Sequence, residues 1–348
     1  MIDYSKSNVV ALSAHVIGNG VKGEKLKLSS EPLEIEDDDL QKLLLTYFLS
    51  NFTAPEYYSF TFDDKQFLNN PLFKLVSNVF SNPHSLHKNS VHVAAHLYET
   101  TLLPGIKSGD LYVAYLSDIQ VENHLVNGVG IFKAESKDSF LKLNTSSPSF
   151  KLKGDSGVNI RKLDKGCLIL NIEKENGFKI LAVDNLNKSE AQFWTNDFLK
   201  ITPQADNYHH TRNFMNLTRQ YVDDQLDEEF SVSKADKIEL LNRSMNFFKT
   251  KDQFNQHEFE AEVLEDPSVI ESFRNYERTW PDRTEADVVD NFEISAQAVK
   301  KQVRVFKSVL KLDKNFHIYI HGNRQLIEKG FDEETNKHFC KIYFDQES

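Results

Sequence analysis

The chain has little of what marks most chemistry-bearing classes. Only two cysteines occur among 348 residues, Cys167 and Cys340, far apart and each inside an apolar, strand-like run. That excludes a disulfide scaffold and a cysteine-rich zinc site, and predicts two buried thiols. No apolar run approaches the roughly 18–20 residues needed to cross a bilayer. Met1 is followed by Ile-Asp-Tyr-Ser-Lys rather than by a basic segment leading into an apolar one. A cytoplasmic location without membrane contact is therefore expected. Excess positive charge is missing as well: 41 Lys+Arg stand against 52 Asp+Glu, a formal net charge of -11. Wholesale coating of nucleic acid is excluded by that balance.

Common catalytic signatures are also absent. The chain contains no Gly-rich loop ending in Lys-Ser/Thr, no G-x-G-x-x-G after a strand, no H-E-x-x-H and no G-x-S-x-G. Nucleotide, dinucleotide, zincin and serine-hydrolase readings thus lack local support, and no cofactor is expected.

What is present begins with a run from Gly109 to Leu143 that reads as three successive strands: Asp110–Ile119, Leu125–Phe132 and Ser139–Leu143. Tyr, Val, Leu and Ile dominate them, and Asn and Gly fill the breaks, as a meander requires. Before it, Asn8–Val16 and the aromatic Tyr57–Phe62 read as strands. The acidic Glu36–Asp39 opens a helix whose Leu40, Leu43, Leu44, Tyr47 and Phe48 form one apolar stripe. Helices are also expected at Leu72–Phe80 and Ser85–Thr101, and a loop or hairpin over Pro148–Lys165. Gly166–Ile172 and Phe178–Val183 form a strand pair turning at Glu175-Asn176-Gly177.

Beyond Asp206 the pattern becomes helical, with Asn213–Gln225, a helix capped by Ser233, and shorter candidates at His257–Leu264, Pro267–Tyr276 and Thr284–Phe292. Strands return at Val309–Leu312, Phe316–Ile320 and His338–Phe344. The fold class is therefore α+β. An N-terminal domain over 1–205 carries a mostly antiparallel sheet with covering helices. A helix-rich domain over 206–348 ends in a small β-hairpin or sheet.

Charge is distributed unevenly. Residues 206–298 carry 10 Lys+Arg against 21 Asp+Glu, whereas 151–205 and 299–348 are each slightly basic. Two basic sets stand out: Lys151, Lys153, Arg161, Lys162 and Lys165, and then Lys300, Lys301, Arg304, Lys307 and Lys311. On a continuous helix Lys300, Arg304, Lys307 and Lys311 would share a face. Point charges of this kind suit phosphate contacts without base readout, and no recognition-helix, RRM or zinc-finger pattern accompanies them. A solvated charged face is the competing reading. Two further constellations compete with bland alternatives. His84, His87, His92 and His96 cluster, but zinc would need ligands from elsewhere. Asp110, Asp118, Glu135 and Lys137 have the residue types of a metal-dependent nuclease, though a charged turn explains them equally.

Several stretches carry a family resemblance: Gly109-Asp110-Leu111, Val129-Gly130-Ile131-Phe132-Lys133 with Phe140-Leu141-Lys142, Lys165-Gly166-Cys167-Leu168, the run 178–185, Phe193-Trp194 before Phe198-Leu199, and Thr211-Arg212-Asn213-Phe214. In the order and spacing of these elements, over about residues 5–345, the chain resembles the bacterial nucleoid-associated proteins of the NdpA type (the 37-kDa nucleoid-associated protein). The resemblance implies a non-enzymatic protein of the nucleoid. It implies sequence-nonspecific DNA binding and contact with type II topoisomerase subunits. Apart from the resemblance, a second copy of the chain in a homodimer is a further expected partner. It assigns no catalytic residues. The two basic sets are then the expected DNA-binding residues. The alternative is an adaptor for DNA-processing enzymes with little DNA affinity of its own, and a nuclease stands third.

Overall fold

In the computed structural model all residues are described except 1, 54–55, 64–65, 122–123, 147–148, 186–191, 285–287, 304–308, 313–315, 320–326, 345 and 347–348. The chain divides into two compact units, Met1–Gln204 and Ala205–Ser348.

Unit one is built on a nine-stranded sheet whose pairings are all antiparallel. Its strands are β1 (Ile2–Asp3), β2 (Asn8–Ile17), β3 (Lys27–Leu28), β4 (Tyr58–Phe60), β5 (Gly109–Val121), β6 (His124–Ala134), β9 (Lys165–Leu170), β10 (Lys179–Asp184) and β11 (Ile201–Pro203). The two strands omitted from that sequence, β7 (Asp138–Asn144) and β8 (Lys151–Gly157), pair only with each other. The order across the sheet is β11-β4-β10-β9-β6-β5-β2-β3, with β1 also on β5.

The long β5–β6 pairing is where the expected meander begins. Its third strand, however, does not join the sheet. The free edge of β6 is taken by β9, whose six residues are all buried. An uninterrupted apolar strand such as Gly166–Leu170 gains more from a position buried on both faces than the half-polar β7 could.

Alternation sends successive side chains to opposite faces, and helices cover both. Leu111, Val113, Val129, Ile131, Cys167 and Ile169 join a core with α2 (Pro71–Ser81) and α3 (Leu86–Thr100). Ala114, Leu116, Phe132, Leu168 and Leu170 meet α1 (Asp38–Leu49) on the other side. Asp37 caps α1 by accepting the Leu40 N–H, and Asn70 caps α2 with Pro71 at its first position.

The α1 stripe is displaced toward its C-terminal end. Tyr47, Phe48 and Leu49 are buried, Leu40 and Leu44 are half-buried, and Leu43 is exposed. Phe48 stacks on Phe132 at 4.2 Å, which fixes the helix by its last turn. The β9–β10 hairpin turns where expected, with Gly177 at φ +91° and a Cβ there falling 2.8 Å from the Phe60 carbonyl oxygen. The Phe193–Leu199 segment is a wide helical turn. Its Trp194 is fully buried and donates to the Gly166 carbonyl at 3.2 Å.

Unit two packs α4 (Asn207–Gln220), α5 (Lys234–Thr250), α6 (Pro267–Thr284) and α7 (Ala296–Gln302) around an aromatic core. Phe214 lies 4.2 Å from Phe254, which stacks on Phe248 and Phe292. Ser233 and Asp236 form a reciprocal capping box at the start of α5. Phe292, expected at the end of a helix, instead sits in β13 (Asn291–Glu293) against β12 (Gln253–Asn255). The chain ends in two hairpins, β14 (Val309–Leu312) with β15 (Phe316–Tyr319), and β16 (Ile327–Asp332) with β17 (Lys337–Ile342). Among the described residues no helix is long and apolar enough to cross a membrane.

Candidate nucleic-acid interface

Among the described residues of unit one, the β7–β8 ribbon is a long element exposed nearly throughout. Every residue of β7 is exposed, as is every residue of β8 except the half-buried Gly157. Its register pairs Phe140 with Asp155, Lys142 with Lys153 and Asn144 with Lys151 on one face. On the other face it pairs Ser139 with Ser156, Leu141 with Gly154 and Leu143 with Leu152. The base is tied by Asn159 Nδ2, which donates to Asp138 Oδ2 at 2.8 Å. At the far end the Ser146 N–H donates to Asn144 Oδ1 at 2.9 Å.

The ribbon is two-faced: one side carries Lys142, Lys151 and Lys153 toward its far end with Asp138 and Asp155 nearer its base, and the other side carries no charge. Lys142 and Lys153 are direct cross-strand neighbours, an arrangement that disfavours the ribbon in isolation. Asp155 reaches Lys153 only at 4.0 Å with both side chains more than half exposed, so it offsets little. Among the described residues Lys142 and Lys151 have no carboxylate partner. Lys142 was absent from both basic sets because its cross-strand partner is eleven residues away; only the register brings them together.

The remaining members of the first set separate. Arg161 and Lys162 are exposed on the turn after β8, held by Asn159, which accepts from the Arg161 N–H through Oδ1 and from the Lys162 N–H through its carbonyl. Lys165 is not a phosphate-binding candidate. It opens β9, its side chain is fully buried, and its Nζ lies 2.9 Å from Asp184 Oδ2. A lysine sealed in this way has neither the reach nor the free charge to meet DNA.

The second set lies in unit two. Lys300 and Lys301 are exposed in the last turn of α7. Arg304 and Lys307 fall outside the described residues. Lys311 belongs to β14, paired with His317, so the helical spacing does not extend to it.

The corner of the sheet around Lys165 gathers further charge. In the β6–β9 ladder Lys133 faces Lys165, and Lys133 Nζ bonds Glu135 Oε1 at 2.8 Å with both side chains fully buried. Asp164 Oδ2 accepts from the Glu135 and Ser136 N–H groups at 2.7 and 2.8 Å, and Lys137 pairs with Asp110 at 2.8 Å. The nuclease candidates Asp110, Glu135 and Lys137 do come together, with Asp164 added. Glu135, however, is committed to Lys133 out of contact with solvent. Asp118 lies apart, at a bulge in β5 with φ +57°, accepting from Ser117 Oγ. Among the described residues no group of three or more His, Cys, Asp or Glu is arranged to hold a metal. The constellation is a structural ion cluster.

The expected histidine cluster divides: His84 and His92 are exposed, whereas His87 and His96, with His15, bond into the packed interior. His15 Nε2 lies 2.8 Å from Ser90 Oγ, and its Nδ1 accepts the Ser29 N–H at 3.2 Å. His87 Nδ1 lies 3.0 Å from Ser13 Oγ, and His96 Nε2 lies 3.2 Å from the Phe198 carbonyl. Burial holds His15 below the usual imidazole range, with His87 adding to the effect. Burial likewise lowers His96, opposed by its bond to Phe198 and by Glu99 and reinforced by Lys200.

Unit two contains a cleft of about 520 Å³ lined by Gln256, His257, Glu260, Arg274, Glu277 and Arg278 among others. Its charges are largely matched internally. Arg274 holds Glu260 through two bonds of 2.7 and 2.6 Å. Burial works to raise the Glu260 carboxyl, but Arg274 and His257 outweigh it and leave it below the ordinary range. Burial raises Glu277, against a bond from Gln256.

A family model described as nucleoid-associated protein YejK matches residues 13–338. No curated protein matches the chain.

Proposed function

The chain belongs to the family of nucleoid-associated protein YejK, and from that premise we propose that it is a sequence-nonspecific binder of duplex DNA acting through the cationic face of the β7–β8 ribbon. One observation carries this reading: Lys142, Lys151 and Lys153 share one face of a ribbon that is exposed along its whole length. A two-stranded ribbon has the width of a DNA groove, and lysines are point charges that meet phosphates without selecting bases. The cross-strand repulsion between Lys142 and Lys153 is relieved when a polyanion lies over them. Arg161 and Lys162 extend the same charge beyond the base of the ribbon, and Lys300 and Lys301 are further exposed cations in unit two.

Reversing Lys142, Lys151 and Lys153 to Glu should lower affinity by the same factor for duplexes of unrelated sequence. Affinity that survives the triple reversal, or falls for some sequences only, would sink this assignment.

A second reading draws on the acidic segment 206–298, whose 21 Asp+Glu outnumber its 10 Lys+Arg. Such a surface suits a basic partner, and the proposed partner class is a subunit of a type II topoisomerase. Recovery of such subunits by the tagged protein after exhaustive nuclease treatment supports direct contact. Loss of all of them after that treatment leaves DNA as the link. No reaction chemistry is proposed for the chain.

A further inference from the structure

Unit one leaves part of its large sheet without a neighbour. β2 pairs with β5 from Asn8 to Ile17, but on its other edge β3 meets only His15 and Val16, and Leu33 meets only Leu12. The Leu33 N–H donates to the Leu12 carbonyl at 2.8 Å, and beyond it the chain leaves the sheet. Among the described residues no strand lies along the outer edge of Asn8–Ala11. A groove of about 800 Å³ runs between that edge and the segment 33–38, lined also by Gln41 of α1. Its floor is apolar at Val10 and Leu33, 57% and 41% exposed, and Ile35 anchors the segment to the core. Glu34, Glu36, Asp37 and Asp38 line it with four carboxylates, and no lysine or arginine joins them. The nearest cations along the chain are Lys6 and Lys42. Neither pairs with these carboxylates among the described residues, and Lys42 is held by Asp39 at 3.4 Å. Gln41 Oε1, shielded from solvent in the same wall, accepts no hydrogen bond among the described residues. We propose that an extended basic segment of a partner protein docks in this groove as an added strand on β2, its backbone bonding the edge of Asn8–Ala11 and its lysines or arginines meeting the carboxylates. The proposal stands apart from the DNA-binding reading, which uses the ribbon.

Each other occupant meets an obstacle. Four carboxylates without a cation repel a nucleic acid. A second copy of the chain would bring the same carboxylates to the same edge. The bulge between Val9 and Ala11 also twists that edge, and charge and bulge together guard a sheet against its own kind. A metal ion is disfavoured, because among the described residues no group of three or more His, Cys, Asp or Glu is arranged to hold one. A basic strand turns the charge to advantage, and its backbone needs only the groups that a free edge offers. Four positions at about 3.4 Å each give about 14 Å of edge, enough for a four-residue strand whose successive side chains face opposite ways. Basic residues alternating with apolar ones then meet the carboxylates and the Val10–Leu33 floor together.

The probe is a labelled, capped peptide of sequence Lys-Val-Lys-Val-Lys-Val, titrated with the full-length protein and followed by fluorescence anisotropy. A second peptide of the same sequence is N-methylated at every residue, which removes the backbone donors and leaves every charge in place. Wild type should bind the first peptide, and the second at least about tenfold more weakly, because several backbone bonds are lost. Val10→Lys sets a cation on the floor, and Glu34→Gln with Glu36→Gln removes two of the carboxylates. Each should weaken the first peptide by about tenfold at low salt. All three positions are exposed, so both proteins should melt with wild type. No binding up to about 1 mM, an N-methylated peptide that binds as well as the plain one, or variants that bind as well as wild type overturn the proposal. A Val10→Lys change that alters the protein's own sedimentation while peptide affinity holds would hand the edge to a second copy and overturn it equally.

Discussion

Replacing Lys165 by Met separates a buried structural cation from a DNA contact. The Lys165 ammonium lies 2.9 Å from the Asp184 carboxylate, with the two side chains 0% and 6% exposed. Methionine fills nearly the same volume, so little packing is lost. What remains is an Asp184 carboxylate that has lost the Lys165 ammonium while staying largely screened from water. Breaking a buried pair from one side costs about 3–5 kcal/mol, because the surviving charge keeps its desolvation penalty. For a unit of some 200 residues each kcal/mol lowers Tm by about 2–4 °C. The drop in the unit-one transition is therefore about 6–20 °C by calorimetry or circular dichroism. The double variant Lys165→Met with Asp184→Leu removes both charges together and should recover most of that loss. DNA affinity of the folded Lys165→Met protein should equal wild type. An unchanged Tm together with weakened DNA binding would refute the reasoning and return Lys165 to the interface.

Phe48→Ala removes the ring stacked on Phe132 and should destabilise unit one by about 3–5 kcal/mol in denaturant titrations, whereas Leu43→Asp on the exposed side of the same helix should cost about 0.5 kcal/mol or less. Gly177→Ala forces a side chain into the left-handed region against the Phe60 carbonyl, and a loss of about 1–3 kcal/mol is expected. His15 and His96 both have folded-state imidazoles held below the ordinary value, so below about pH 6.5 the unfolded chain takes up protons that the folded chain refuses. Stability of unit one should thus be flat in pH above that point and fall below it, by at most about 2.7 kcal/mol per pH unit for two such groups. A His15→Gln, His96→Gln variant should show a shallower fall.

Local signals carried much of the fold. The Asn8 strand, the β5–β6 pair, the hairpin at Gly177 and the Ser233 cap follow from side-chain alternation, turn residues and capping chemistry, all of which act over a few residues. The misreadings needed longer range. Ser139–Leu143 has a strand's pattern whether it joins the sheet or leaves it, and only competition with β9 for the edge of β6 decides. The α1 stripe has the right period, but its burial is biased to one end by Phe132, a residue 84 positions on. Lys165 looks like any lysine in a basic stretch until the ladder places it between Lys133 and Asp184. The cationic face was half legible: Lys151 and Lys153 are adjacent by alternation, whereas Lys142 reaches them only through the register.

DNA binding through the ribbon requires its three lysines to act together, and the most direct measurement is the affinity for a nonspecific duplex across a salt series, for wild type and for the variant with Lys142, Lys151 and Lys153 all changed to Gln. Each phosphate contact contributes about 0.9 to the slope of log K against log salt, so the variant's slope should be shallower by about 2.7. Parallel lines for the two proteins would contradict the assignment, however strongly either one binds.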